Sequence, residues 1–87
     1  MTSRQFTPAA LRAILREAAG LEEGIPADGA LGVSFQDLGL ESLALLETGG
    51  RIEREYGITL DDGALLEAAT PRELLDLVNA HLAAAAA

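Results

Sequence analysis

Few residues in this chain could do chemistry. Its 87 residues include no Cys and one His, which excludes thiolate catalysis, disulfides and thiolate metal sites and is compatible with a reducing compartment. His81 stands at the far end of an apolar helical run, where an imidazole suits the negative end of a helix dipole better than the role of a base. Asp61-Asp62-Gly63 lacks the alternating acidic positions of a calcium loop. Ser42 is the hydroxyl that stands out. It follows Asp37-Leu38-Gly39-Leu40-Glu41 and opens an apolar helical stretch. The ordinary reading of such a serine is a helix N-cap. A second reading uses the same geometry: a side chain at a helix N-terminus is exposed, and the unpaired N–H groups and the dipole favour a phosphate attached there. A minimal hydrolase built on Ser42 would lack both a suited base and an orienting acid. These residues form no catalytic constellation.

Four helices must position them. Thr7-Pro8 is a hydroxyl cap followed by Pro at the first helical position, and Leu11, Ile14, Leu15 and Ala18 continue as one apolar stripe up to Gly20, the expected stop. Residues 42–56 form a second helix ended by Gly57, and residues 61–68 a short one carrying Leu65 and Leu66. Thr70-Pro71 opens the last helix, where Glu73 completes a capping box and Leu74, Leu75, Val78 and Leu82 make the stripe. Ala83–Ala87 reads as a frayed tail. Segment 20–41 is long for a structureless connection, and such loops tend to be functional. Leu31, Val33 and Phe35 alternate as a strand would, but no second strand exists to pair with them. Residues Leu31, Val33, Phe35 and Leu38 are therefore expected to pin a long loop to the core. The pattern predicts an all-α fold, three main helices plus one short one, in a single domain over residues 1–87.

Composition narrows the function. Fourteen acids against six basic residues leave a net charge of −8. A binder of phosphate backbones must bring cations, so nucleic acid and anionic membranes are poor partners, and soluble proteins with basic surfaces are good ones. No apolar run is long enough to span a bilayer, and Met1–Phe6 lacks the apolar core of a signal peptide. A cytoplasmic monomer is expected. The charge is uneven: three arginines outweigh Glu17 in residues 1–19, whereas residues 20–41 hold five acids and no base.

On the middle helix, Leu45, Thr48, Gly49, Ile52 and Tyr56 share one face and should meet the core. Leu43, Glu47, Gly50 and Arg54 lie opposite, with Leu46 and Glu53 on a flank. An apolar pair, Leu43 and Leu46, ringed by Glu41, Glu47 and Glu53, has the form of a docking surface: leucines for area, acids for steering. The alternative is that the long loop folds over both leucines. Gly49 on the inner face reads as a tolerated local weakness of the helix. Asn79 sits at the edge of the last helix's stripe, where a half-buried amide ordinarily bonds to backbone.

The run Phe35-Gln36-Asp37-Leu38-Gly39-Leu40-Glu41-Ser42-Leu43 resembles the phosphopantetheine attachment motif of acyl carrier proteins, usually Asp-x-Leu-Gly-x-Asp-Ser-Leu. Ala44-Leu45-Leu46-Glu47-Thr48, Arg51-Ile52-Glu53 and Glu55-Tyr56-Gly57 are similar to the stand-alone carriers of bacterial type II, or aromatic, polyketide synthases. So is Thr70-Pro71-Arg72-Glu73-Leu74-Leu75-Asp76-Leu77-Val78-Asn79. The resemblance extends over the whole chain.

It implies an acyl-carrier-like four-helix bundle in which Ser42 takes 4′-phosphopantetheine from coenzyme A. The arm's thiol would carry malonyl and poly-β-keto groups as thioesters, so the missing Cys is supplied by the prosthetic group. Asp37, Glu41, Leu43, Leu46, Glu47 and Glu53 become docking residues, and Leu45, Gly49 and Asn79 candidates for an interior chain cleft. The implied partners are a phosphopantetheinyl transferase, the ketosynthase–chain length factor pair, a malonyl transacylase, a ketoreductase and other tailoring enzymes. Two departures stand out: Glu41 replaces the usual Asp, and Leu40 replaces a frequent Tyr. A fatty-acid or other acyl carrier is the neighbouring alternative. An unmodified acidic adaptor, binding through Leu43 and Leu46, is the alternative of a different class.

Overall fold

The computed structural model describes residues 5–18 and 32–86. Four helices follow one another: α1 (Pro8–Ala18), α2 (Ser42–Tyr56), α3 (Asp62–Glu67) and α4 (Pro71–Ala86). Among the described residues there is no strand. Gly20, Leu31 and the acids Glu22, Glu23 and Asp28 lie outside the described residues.

Three of the four helices start with a local side-chain cap. The Ala10 N–H donates to Thr7 Oγ1 (3.1 Å) at the head of α1, and the Ala64 N–H donates to Asp61 Oδ2 (2.9 Å) at the head of α3. At α4 the Glu73 N–H donates to Thr70 Oγ1 (3.2 Å). The Glu73 carboxylate in turn accepts from Thr70 N (3.0 Å) and also from Ala69 N (2.9 Å). That is the expected capping box with one bond more. α2 ends at Gly57, whose φ of 66° is the left-handed conformation that favours glycine, and both the Gly57 and Ile58 N–H groups reach the Glu53 carbonyl. α4 runs on to Ala86, so the alanines expected as a tail continue the helix. Alanine is the best helix former, and nothing in that run breaks the ladder.

α2 is the middle of the bundle, packed against α1 on one side and α3 on the other, with α4 against α1. Leu11, Ile14 and Leu15 meet Leu45, Ile52, Leu65, Leu74, Leu75, Val78 and Leu82 in a single apolar core. Thr48 is buried among them, its hydroxyl donating to the Ala44 carbonyl (2.9 Å). At the surface Arg51 binds Glu17 (2.6 Å) and Glu55 (3.1 Å), joining α2 to α1. The hydrogen bond to Glu17, then that to Glu55, holds the guanidinium pKa above its ordinary value.

Residues before α1 are tied to the end of the chain. The Phe6 N–H donates to Asn79 Oδ1 (2.8 Å), and Asn79 Nδ2 donates back to the Phe6 carbonyl (3.0 Å). The Phe6 ring is 1% exposed and meets Tyr56 edge-on at 5.2 Å. Asn79 therefore acts as a borrowed piece of backbone, pairing both polar groups of Phe6. It does not line the cleft described below. His81 is half-buried, its Nδ1 donating to the Leu77 carbonyl (2.9 Å).

Candidate functional site

Ser42 is held in place by a short, tightly wound segment, residues 34–41. The Leu38 N–H reaches the Ser34 and Phe35 carbonyls, Gly39 N–H the Gln36 carbonyl and Leu40 N–H the Phe35 carbonyl (2.9–3.1 Å). The Asp37 N–H donates to Ser34 Oγ (3.0 Å), and Gly39 takes φ 80°, a value that only glycine adopts freely. The coil is anchored twice: the Phe35 N–H donates to the Ala69 carbonyl (2.8 Å), and the Phe35 and Leu40 side chains are buried. Phe35 and Leu38 thus pin the loop as expected, Phe35 buried and Leu38 half-buried against the core. Val33, just before this coil, and Phe35 within it are not in a strand.

The position of Ser42 differs from the expectation in one respect. Glu41 holds the N-cap position, in extended conformation and with no side-chain cap bond, and Ser42 is the first residue inside α2. The first helical bond is from Leu45 N–H to the Glu41 carbonyl (3.0 Å). The exposed Ser42 hydroxyl is therefore not spent on capping, and among the described residues no side chain caps the leading N–H groups of α2. Such an end is where an anion is favoured by both the N–H groups and the dipole.

An open cleft of about 500 Å³ begins beside Ser42. Its apolar wall is Phe35, Leu40, Leu45, Leu66 and Ala68, and its polar rim is Ser34, Gln36, Glu41 and Ser42. Of the expected cleft residues the structure brings only Leu45 to it. Gly49 lies deeper on α2, where an added Cβ would overlap the Leu65 Cδ2 methyl. The room expected at Gly49 is filled by Leu65.

The wall residues Leu66 and Ala68 escaped sequence reasoning. A signal existed for Leu66: in a six-residue helix, Leu65 and Leu66 point about 100° apart, so both cannot face the core.

The expected docking residues divide. Asp37, Glu41, Leu43 and Glu47 are exposed, Leu43 by 67%, and Leu46 is half-buried against the core. Glu53 is half-buried, and its carboxylate accepts from the Leu60 N–H (2.7 Å) and closes the α2–α3 connection. A carboxylate at helix position 53 reaches the chain that doubles back after Gly57, a contact invisible in the helical period. Leu66, 45% exposed, is the other large apolar residue at the surface among the described residues.

Comparison with known proteins places this geometry. Residues 9–78 match the family model described as the phosphopantetheine attachment site. The chain belongs to the acyl carrier proteins. This carrier is 60% identical over 85 residues to the monensin polyketide synthase acyl carrier protein of Streptomyces virginiae, covering 98% of this chain and 97% of the relative. It is 51% identical over 77 residues to the granaticin polyketide synthase acyl carrier protein of Streptomyces violaceoruber, covering 87% and 91%.

Among solved structures, the actinorhodin holo acyl carrier protein of Streptomyces coelicolor superposes with a TM-score of 0.84 at 42% identity, covering 97% of this chain and 99% of that one. The same protein as 3,5-dioxohexyl ACP, a triketide mimic, gives 0.85 at the same identity and coverage. The all-helical carrier fold, the assignment to the type II polyketide synthase carriers and the 4′-phosphopantetheine prosthetic group stand on these matches. No helix among the described residues is long and apolar enough to cross a membrane.

Proposed function

We propose that Ser42 is the residue esterified with 4′-phosphopantetheine, and that this carrier presents malonyl and growing poly-β-keto chains to the enzymes of a type II polyketide synthase. The observation that carries this reading is the uncapped start of α2, with an exposed Ser42 hydroxyl beside an apolar cleft. The residues present fit the group: the N–H groups at the head of α2 favour its phosphate, and the cleft offers a wall to its apolar part. When bound, the group supplies the thiol that holds acyl units as thioesters. The chain itself positions and covers; the catalysis belongs to its partners.

Those partners are a phosphopantetheinyl transferase, the ketosynthase–chain length factor pair, a malonyl transacylase and a ketoreductase, in the cytoplasm. Docking rests on exposed Leu43 with the neighbouring half-buried Leu46, and on Asp37, Glu41 and Glu47 as acids that steer a basic surface toward Ser42. A carrier must leave each enzyme, so a small apolar contact with a charged rim suits it.

Intact-protein mass after incubation with coenzyme A and a promiscuous transferase tests the reading. One added phosphopantetheinyl group, lost in Ser42→Ala, is expected; an unmodified native protein overturns it. Malonyl transfer from the loaded protein should slow as salt rises and slow further in Glu47→Lys. Transfer indifferent to both would remove the steering role.

A further inference from the structure

The outer face of α2 carries both signs of charge. Leu43, Glu47, Gly50 and Arg54 follow one another along it at steps of three or four residues, the spacing of neighbours on a helix surface. Leu43, Glu47 and Arg54 are exposed. The Arg54 side chain runs back along the helix toward Glu47, so that its Nη1 stands 3.7 Å from where a Gly50 Cβ would be. The other base of α2, Arg51, is already paired with Glu17 and Glu55. Among the described residues neither Glu47 nor Arg54 has an ion pair or a side-chain hydrogen bond. The face therefore presents an anion and a cation, both free, with backbone positions about 10 Å apart along the axis.

An apolar contact centred on Leu43 has no direction of its own, and a partner can sit on it in any rotation. Two opposite charges two turns apart remove that freedom. A uniformly basic partner would attract Glu41 and Glu47 but would set a cation against Arg54, and like charges brought together at an interface are penalised. The surface that fits has cations facing Asp37, Glu41 and Glu47 and a carboxylate facing Arg54.

We propose that Arg54 pairs with a carboxylate on the condensing enzyme, the ketosynthase–chain length factor pair, and so fixes the rotation in which the carrier brings Ser42 to it. The inference rests on docking through Leu43 and Glu47 and names the chemistry of the partner surface. The condensing pair is the partner for which rotation matters most, since it receives the growing chain again at each extension.

The test measures kcat/KM of the condensing pair for the malonyl-loaded holo protein, native and with Arg54→Ala, Arg54→Glu and Arg54→Lys. If only overall charge mattered, Arg54→Glu would make an acidic carrier more attractive to a basic partner, and the rate would rise. With a carboxylate opposite Arg54 it falls. The expected losses are about threefold in Arg54→Ala and about tenfold in Arg54→Glu, where attraction becomes repulsion. Both should lie in KM with kcat little changed, because the contact is made on docking and not in the chemical step. Arg54→Lys keeps the charge and should stay within about twofold of the native rate. Modification of the apo variants by the promiscuous transferase should not fall.

An Arg54→Glu rate that rises or stays the same, or a loss shared equally by the transferase, overturns the proposal. Failure of the underlying docking reading shows separately, as malonyl transfer indifferent to salt and to Glu47→Lys.

Discussion

Two helix starts in this carrier, those of α2 and α4, are built on opposite principles. At α4 the Thr70 hydroxyl and the Glu73 carboxylate satisfy the N–H groups of Ala69, Thr70 and Glu73. At α2 the residue in the capping position is Glu41, whose side chain makes no cap bond, and the next residue is Ser42. α1 and α3 follow the α4 pattern, through Thr7 and Asp61. Three closed starts stabilise the fold; the open one leaves donors and a positive dipole end for a ligand. The difference teaches that the functional helix forgoes a local stabilisation worth about 0.5–2 kcal/mol, and that its start is held by the wound 34–41 segment and its anchor on Ala69 instead.

Substitutions at three of these starts can break or sharpen this contrast. The largest effect is expected from Glu73→Ala, which removes the acceptor of bonds from Ala69 and Thr70. Stability should fall by about 2 kcal/mol, lowering the melting temperature by roughly 10 °C in thermal denaturation followed by circular dichroism. Asp61→Ala removes one cap bond and should cost about 1 kcal/mol by the same measurement. Glu41→Asp should act in the other direction, since a side chain one methylene shorter is a better cap, and a gain of about 0.5 kcal/mol is expected. Smallest of all should be Ser42→Ala, within about 0.5 kcal/mol of the native stability, because that hydroxyl caps nothing. A loss as large as that of Asp61→Ala would show that Ser42 caps α2 after all.

Glu53, Asn79 and Gly49 show where sequence reading stops. All three were placed on the correct helix and close to the correct face. Their roles differ because each is decided by a residue distant in sequence: Leu60 beyond the turn for Glu53, Phe6 at the other end of the chain for Asn79, and Leu65 on another helix for Gly49. Helical period reports direction around one axis. It does not report what stands there.

Ser42 was legible for the converse reason. Its flanking motif and its place ahead of an apolar helix are local, and so are the caps at Thr7 and Thr70, the stop at Gly57 and the stripes of α1, α2 and α4. By itself the sequence determined the helices, their buried faces and the acidic character, and it singled out Ser42 as the hydroxyl proposed to take the prosthetic group. Only the tertiary structure decided that Glu41 leaves α2 uncapped, that residues 34–41 coil against Ala69 to form one wall of a cleft, and that Leu66 supplies the other. Those outcomes depend on how closely separate helices approach, and a missing Cβ at Gly49 sets that distance in a way no periodicity records.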